Sequence, residues 1–190
     1  MRKFTIFLAA AMLALAVANP SNADLIDRGN GLIYDDDLNI TWLQNANYPG
    51  GTMTWLEATA WADALVFEDF DDWRLSKSDT NCSGNNCTGS EMGHLFYEEG
   101  ITSSSSGLFQ DVRPSYYWSE TENENNLSQA WRFNFLYGTQ GTSDKTQKRY
   151  AWAVRDGDVT AAPVAPEPIS SVLFVIGGAT LGIRRCLRKR

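Results

Sequence analysis

An uncharged apolar run stands at each end of this chain, at residues 4–17 and 169–183, leaving residues 24–160 as the segment that must build a water-soluble core. Arg2 and Lys3 precede the first run, and Ser21-Asn22-Ala23 follows it with the small residues that a signal peptidase accepts. A basic start, an apolar run and a small-residue site make residues 1–23 a secretory signal peptide, cut after Ala23 or, as the alternative, after Ala18. The second run follows Pro166-Glu167-Pro168 and precedes Arg184-Arg185-Cys186-Leu187-Arg188-Lys189-Arg190, where five of the seven residues are basic. Such a cluster stays on the cytoplasmic side of a membrane. Residues 169–183 therefore read as a transmembrane segment, 184–190 as a basic cytoplasmic tail, and 24–160 as a domain on the far side. The fifteen residues of that segment reach about 22 Å at about 1.5 Å each, against a hydrocarbon core of about 30 Å. Gly177, Gly178 and Gly182 weaken the helix further, which suits a segment recognised and removed rather than a permanent anchor.

Pro166-Glu167-Pro168, the glycine-containing apolar stretch and the terminal arginine cluster with Arg184 and Arg185 together resemble the PEP-CTERM sorting signal. Ala165 stands where that signal usually has Val. The resemblance implies recognition by an exosortase, a membrane peptidase of Gram-negative bacteria that make exopolysaccharide, and export of the body to the envelope or matrix.

Nine of the 16 Lys and Arg but 22 of the 23 Asp and Glu lie within residues 24–160, so this segment carries a formal charge of −13 against −7 for the whole chain. A field of that sign repels phosphate and sulfate backbones, which argues against nucleic acid as a partner. The segment has the size of one domain. Residues 161–168, with their three prolines, form an extended linker.

Within the domain, Gly31 to Tyr34 and Ile40 to Leu43 read as two short strands across the acidic turn Asp35-Asp36-Asp37-Leu38-Asn39. Thr54 and Glu57 have the spacing of a capping box, and Trp55, Ala58, Trp61, Ala62 and Leu65 recur at helical spacing, which predicts a helix over residues 55–66. Ser90 and Glu91 open a second helix through Met92, Leu95 and Phe96 that ends near Gly100. Residues 103–106, all serine, read as a flexible link. Strand-like stretches follow at 116–119, 131–137 and 150–155. Two helices followed by strands predict an α+β domain with a small antiparallel sheet. Trp42, Trp55, Trp61, Trp73 and Trp131 are core candidates, with Tyr48, Tyr116, Tyr137 and Trp152 weaker ones.

Gly31-Leu32-Ile33-Tyr34-Asp35, Met53-Thr54-Trp55, Asp71-Asp72-Trp73-Arg74-Leu75, Tyr117-Trp118-Ser119-Glu120-Thr121, Ala130-Trp131-Arg132-Phe133 and Ala153-Val154-Arg155-Asp156 resemble, in order, the blocks of the Lcl C-terminal domain family. That family is similar in its Trp-Arg-Leu and Tyr-Trp-Ser blocks to domains of C-type lectin-like fold, which formylglycine-generating enzymes also use. The resemblance implies a C-type lectin-like single domain and a binding function, often toward glycans. The namesake module is associated with sulfated glycosaminoglycans, a ligand that the charge of this domain argues against.

Cys82 and Cys87 lie five positions apart in a Ser, Gly and Asn-rich segment. A disulfide is the reading that an exported compartment favours, with a metal pair and free thiols as alternatives. Asp35, Asp37 and Asn39 place oxygen ligands on alternate residues, as the first half of a calcium loop does. Ile40 stands at its glycine position and Ala46 at its closing glutamate, so a solvated acidic turn competes with calcium; no other cofactor is expected. His94 is the only histidine and has no nucleophile motif beside it, which makes it a structural or surface residue. Glu98 with Glu99, or Glu120, Glu122 and Glu124, offer carboxylate pairs of the kind glycosidases use, and an acidic domain contains such pairs without chemistry. The expectation is therefore a non-enzymatic, exported surface or matrix protein with a glycan or exopolysaccharide ligand. Signal peptidase and an exosortase are its processing partners, and residues 169–183 are its contact with the membrane.

Overall fold

The acidic turn predicted after Tyr34 is a hairpin, and the rest of the domain is assembled around it. In this computed structural model residues 25–159 are described. The elements run β1 (Leu25–Gly29), β2 (Leu32–Asp35), β3 (Ile40–Leu43), α1 (Trp55–Asp63), β4 (Arg74–Leu75), α2 (Glu91–Tyr97), β5 (Tyr116–Glu122), β6 (Gln129–Asn134), β7 (Thr139–Asp144) and β8 (Ala153–Asp156). The signal peptide with Ala23, the linker with Pro166, Glu167 and Pro168, the segment 169–183, and Arg184 and Arg185 all lie outside the described residues. Among those described, no helix is long and apolar enough to cross a membrane.

Where one small sheet was expected there are two, both antiparallel. One has the order β1-β2-β3-β8-β4 and the other β5-β6-β7. In the hairpin Asp35 faces Ile40 across the turn. Asn39 closes the turn at φ 51°, a left-handed conformation that Asn tolerates better than most residues. The two sheets meet at Tyr150, on the approach to β8: its N–H donates to Tyr116 O, and its carbonyl accepts from Trp118 N–H. The second sheet is hard to see in the sequence because Thr-Gln-Gly-Thr-Ser-Asp of β7 has no apolar alternation. Its six backbone pairings with β6 hold it in place instead.

Helix α1 starts at Thr54, where both halves of the predicted capping box are made. Trp55, Ala58 and Ala62 form its buried face. Trp55 donates its indole N–H to Ser119 O, and Trp118 donates to Met53 O, so the start of α1 is tied to β5 at both ends of the contact. Trp61 is only half buried and lies between the two apolar clusters of the domain, touching both.

The larger cluster is aromatic at its centre. Trp42 and Trp152 stand with ring centroids 5.0 Å apart, and Phe109, Tyr117 and Phe135 surround Trp152 at 4.9 to 5.9 Å. Each such ring removes about 150–250 Å² from water, a gross gain of about 4–6 kcal/mol at about 25 cal/mol per Å². Trp152, expected to be a weaker core residue, is 1% exposed. Its sequence neighbours hide this because Ala151, Trp152, Ala153 and Val154 are all buried, so there is no alternation to read. Tyr48 and Tyr137 are exposed, as their weaker rank anticipated.

The serine segment expected to be loose is held, and the cysteine loop carries the expected disulfide. In place of a flexible link, residues 102–105 form a turn in which Thr102 and Ser105 exchange backbone hydrogen bonds, pinned between buried Ile101 and Phe109. The Ser, Asn and Gly-rich segment around 79–87 is closed by a Cys82–Cys87 disulfide. Gly84 and Gln140 exchange backbone hydrogen bonds, and the Gln140 side chain donates to Asp79 O and Cys82 O. The loop thus rides on β7.

Candidate functional site

The turn between β2 and β3 and the far end of α2 carry the most concentrated chemistry among the described residues. Asp35 ends β2, where its position as a core-facing strand residue leaves it 1% exposed. Its Oδ1 accepts from Leu38 N–H at 3.0 Å, while its Oδ2 and the nearby Trp42 indole N–H are buried with neither making a hydrogen bond. Burial pushes the Asp35 carboxyl above its ordinary range, against the downward pull of the Leu38 N–H and of His94.

Helix α2 brings His94 to this carboxylate. Ser90 caps the helix through Gly93 N–H, and at its other end Gly100 takes φ +68°, a conformation that favours glycine. The reversal after Tyr97 lets Glu98 N–H and Glu99 N–H both donate to His94 O, which turns Glu99 back over the imidazole. His94 Nε2 then stands 3.6 Å from Glu99 Oε1, 3.8 Å from Asp37 Oδ2 and 4.0 Å from Asp35 Oδ1. These separations exceed hydrogen-bond range, and Nε2 is buried with no hydrogen-bond partner. Burial, then the charge of Asp35, raises the Glu99 carboxyl above its ordinary range. Asp37, His94 and Glu99 each present one ligating atom, all within 4.8 Å of one another.

The alternate oxygens Asp35, Asp37 and Asn39 are thus divided. Asp35 and Asp37 face the imidazole, whereas Asn39 Oδ1 accepts from the Tyr34 hydroxyl at 2.9 Å. Two members of the cluster, His94 and Glu99, stand out in the sequence only as a lone histidine and as half of the Glu98–Glu99 carboxylate pair, with nothing to link them to the turn. They are distant in sequence from the turn, and only the docking of α2 joins them to it. Of the other carboxylates considered, Glu98 is exposed, Glu122 pairs with Lys145 at 2.9 Å, and the Glu120 carboxyl is raised by burial against the pull of Arg74 and Lys77.

A second feature joins β5 and β6 to the segment before β8. The guanidinium carbons of Arg132 and Arg149 stand 3.9 and 4.8 Å from the Tyr116 ring centroid. Arg132 Nε donates to Ser143 Oγ at 2.6 Å, and Arg149 Nη1 donates to Lys148 O at 3.2 Å. Neither reaches a carboxylate among the described residues, whereas Arg28, Arg74, Arg113, Arg155 and Lys145 each do. Burial, and then the charge of Arg149, pull Arg132 below its usual value, with Tyr116 acting the other way. An arginine remains charged throughout, so this is a pair of like charges beside one ring in an otherwise acidic domain.

Fold and site together define a small α+β domain with a local disulfide, a carboxylate–imidazole cluster between the β2–β3 turn and α2, and a part-buried cluster of two arginines about Tyr116. The sequence profile of the Lcl C-terminal domain matches residues 31–155, and the chain belongs to that family. None of the curated proteins compared with it matches.

Proposed function

We propose that this is an exported surface or matrix protein of a Gram-negative bacterium whose domain binds, without turnover, a carboxylate-bearing glycan of the exopolysaccharide kind. The observation that supports the ligand class is the pair of guanidinium groups beside Tyr116 that lack a carboxylate partner among the described residues. A guanidinium fork matches a carboxylate in two parallel hydrogen bonds, and a sugar carboxylate placed between Arg132 and Arg149 relieves their mutual repulsion. The acidic remainder of the domain opposes a densely charged polymer. Salt screens fields beyond about 8 Å at physiological strength, so the surface suits a chain with widely spaced acidic sugars.

The mature protein, purified from its host, tests this in calorimetric titrations with a uronate-containing polysaccharide and a neutral glucan of similar length. Saturable binding to the first alone is expected, weakened at least tenfold by Arg132→Ala or Arg149→Ala. Equal binding to the glucan, or hydrolysis of either polymer abolished by replacing one carboxylate, would defeat the reading.

Export rests on the two termini. Signal peptidase acts at Ala23, and an exosortase acts at Pro166-Glu167-Pro168 while residues 169–183 hold the chain in the membrane. Prolines keep that peptide extended for a peptidase. The basic tail resists transfer because each charge costs about 2.5–3.5 kcal/mol at the bilayer centre on insertion scales. An epitope after Asp24 and the mass of the mature form decide it, with Glu167→Ala as the uncut control. Residues 169–190 retained in all of the mature wild-type protein would make the tail a plain anchor.

A further inference from the structure

We propose that Asp37, His94 and Glu99, with Asp35 beside them, form a binding site for a divalent transition-metal ion of the zinc or manganese class. The first ground is spacing. An ion with ligands at about 2.0–2.2 Å holds its ligand atoms roughly 3.0–4.2 Å apart. His94 Nε2 lies 3.6, 3.8 and 4.0 Å from one oxygen of Glu99, Asp37 and Asp35. At these distances the groups are too far apart to hydrogen-bond to one another and close enough to share an ion.

The second ground is independent of the carboxylates. His94 is only 9% exposed, and its Nε2 points into the cluster with no hydrogen-bond partner. A buried polar atom left unsatisfied costs about 1–3 kcal/mol, and native structures rarely leave one so. A metal bond to the Nε2 lone pair removes that cost. It also supplies the positive charge that three neighbouring carboxylates lack. Asp37 is the exposed member, its side chain 43% accessible, and gives the ion a way in from solvent.

The donor set selects the metal. One imidazole with carboxylate oxygens suits zinc, manganese or iron, whereas calcium takes six to eight oxygens and no imidazole. Asn39, the third residue of the calcium pattern in the sequence, is engaged by Tyr34 instead. The alternative state of the cluster is a protonated His94 attracting its neighbours without an ion.

The test uses the full-length chain in detergent, stripped with chelator, in a Cys186→Ser background so that no free thiol competes; Cys82 and Cys87 are joined to each other. Zn²⁺, Mn²⁺ and Ca²⁺ are titrated separately by calorimetry, and Co²⁺ is added to read ligand-field absorption. One equivalent of Zn²⁺ or Mn²⁺ is expected to bind saturably, more tightly than Ca²⁺, and to raise the unfolding temperature. His94→Ala and Glu99→Gln should each weaken binding at least tenfold and change the Co²⁺ spectrum, with Asp69→Asn, at an exposed residue between α1 and β4 and away from the cluster, as the unaffected control. Near-UV circular dichroism establishes that each variant is folded, and Glu99→Gln, which keeps size and shape, carries the test if His94→Ala unfolds. Absence of saturable Zn²⁺ and Mn²⁺ binding to the folded chain, tighter Ca²⁺ binding, or binding unchanged in the folded variants would overturn the proposal.

Discussion

Gly93 and Cys87 approach so closely that a Cβ on Gly93 would lie 1.9 Å from the Cys87 carbonyl oxygen and 2.5 Å from Ser90 Oγ. The contact seats the disulfide loop on the first turn of α2, one residue before His94. Because the obstacle is backbone, no side-chain rotation relieves it. Gly93→Ala is expected to destabilise the protein by about 3 kcal/mol or more, the upper end of overpacking costs. Thermal unfolding followed by near-UV circular dichroism measures it, and a loss below about 1 kcal/mol would show that the loop moves freely off the helix.

The Cys82–Cys87 bond closes a short loop, for which the chain-entropy relation gives about 2 kcal/mol. Replacing both cysteines with serine should lower stability by about that amount in denaturant titrations. The loop also hangs on Gln140, through Asp79 O and Cys82 O, so the double variant is expected to remain folded at 25 °C. In the unreduced mature protein, mass spectrometry should find no free thiol at either position.

Trp152 donates its indole N–H to the Leu43 carbonyl at 2.7 Å, in the middle of the aromatic cluster. Trp152→Phe keeps an apolar ring but removes the N–H, leaving a buried acceptor unsatisfied at about 1–3 kcal/mol and a void beside Trp42 and Phe109. A loss of at least about 2 kcal/mol is expected. Tyr137→Ala, at a residue 65% exposed, should stay within about 0.5 kcal/mol. Equal effects at the two sites would contradict the placement of the core.

Acid should remove two ion pairs. A hydrogen bond from Arg155 holds Asp72 below the usual carboxylate value of 3.8, and one from Arg74 does the same for Asp156. A lowered folded value means that the stabilisation is full above the unfolded value and is lost as pH falls through the folded one. The carboxylates are 54% and 70% exposed, so screening limits each pair to less than about 1 kcal/mol. Comparing wild type with Asp72→Asn and Asp156→Asn isolates the effect from buried Asp35 and part-buried Glu99 and Glu120, whose raised values act in the opposite sense. The unfolding temperatures should differ at pH 6 and converge as pH falls past 3.8 and through the lowered folded values. A gap that persists into stronger acid would rule out an electrostatic origin.

Local chemistry alone fixes some of this protein. The capping box at Thr54 and Glu57, the β2–β3 hairpin and the start of α2 at Ser90 depend on residues within a few positions of one another, so each is legible in the chain as written. The family blocks from Gly31 to Arg155 are equally a property of the sequence. Tertiary structure decided the rest. β7 has no apolar alternation and exists because β6 offers it a full row of hydrogen bonds. Trp152 is central because β8 inserts between β3 and β4. His94 becomes more than a lone histidine only when the docking of α2 and the left-handed Gly100 place its imidazole and Glu99 against Asp35 and Asp37. Those pairs are separated by more than fifty residues, and nothing in periodicity, capping or spacing carries information across that distance. Closing such long loops is offset only by the burial of the whole core, and it is that burial which brings the four groups together.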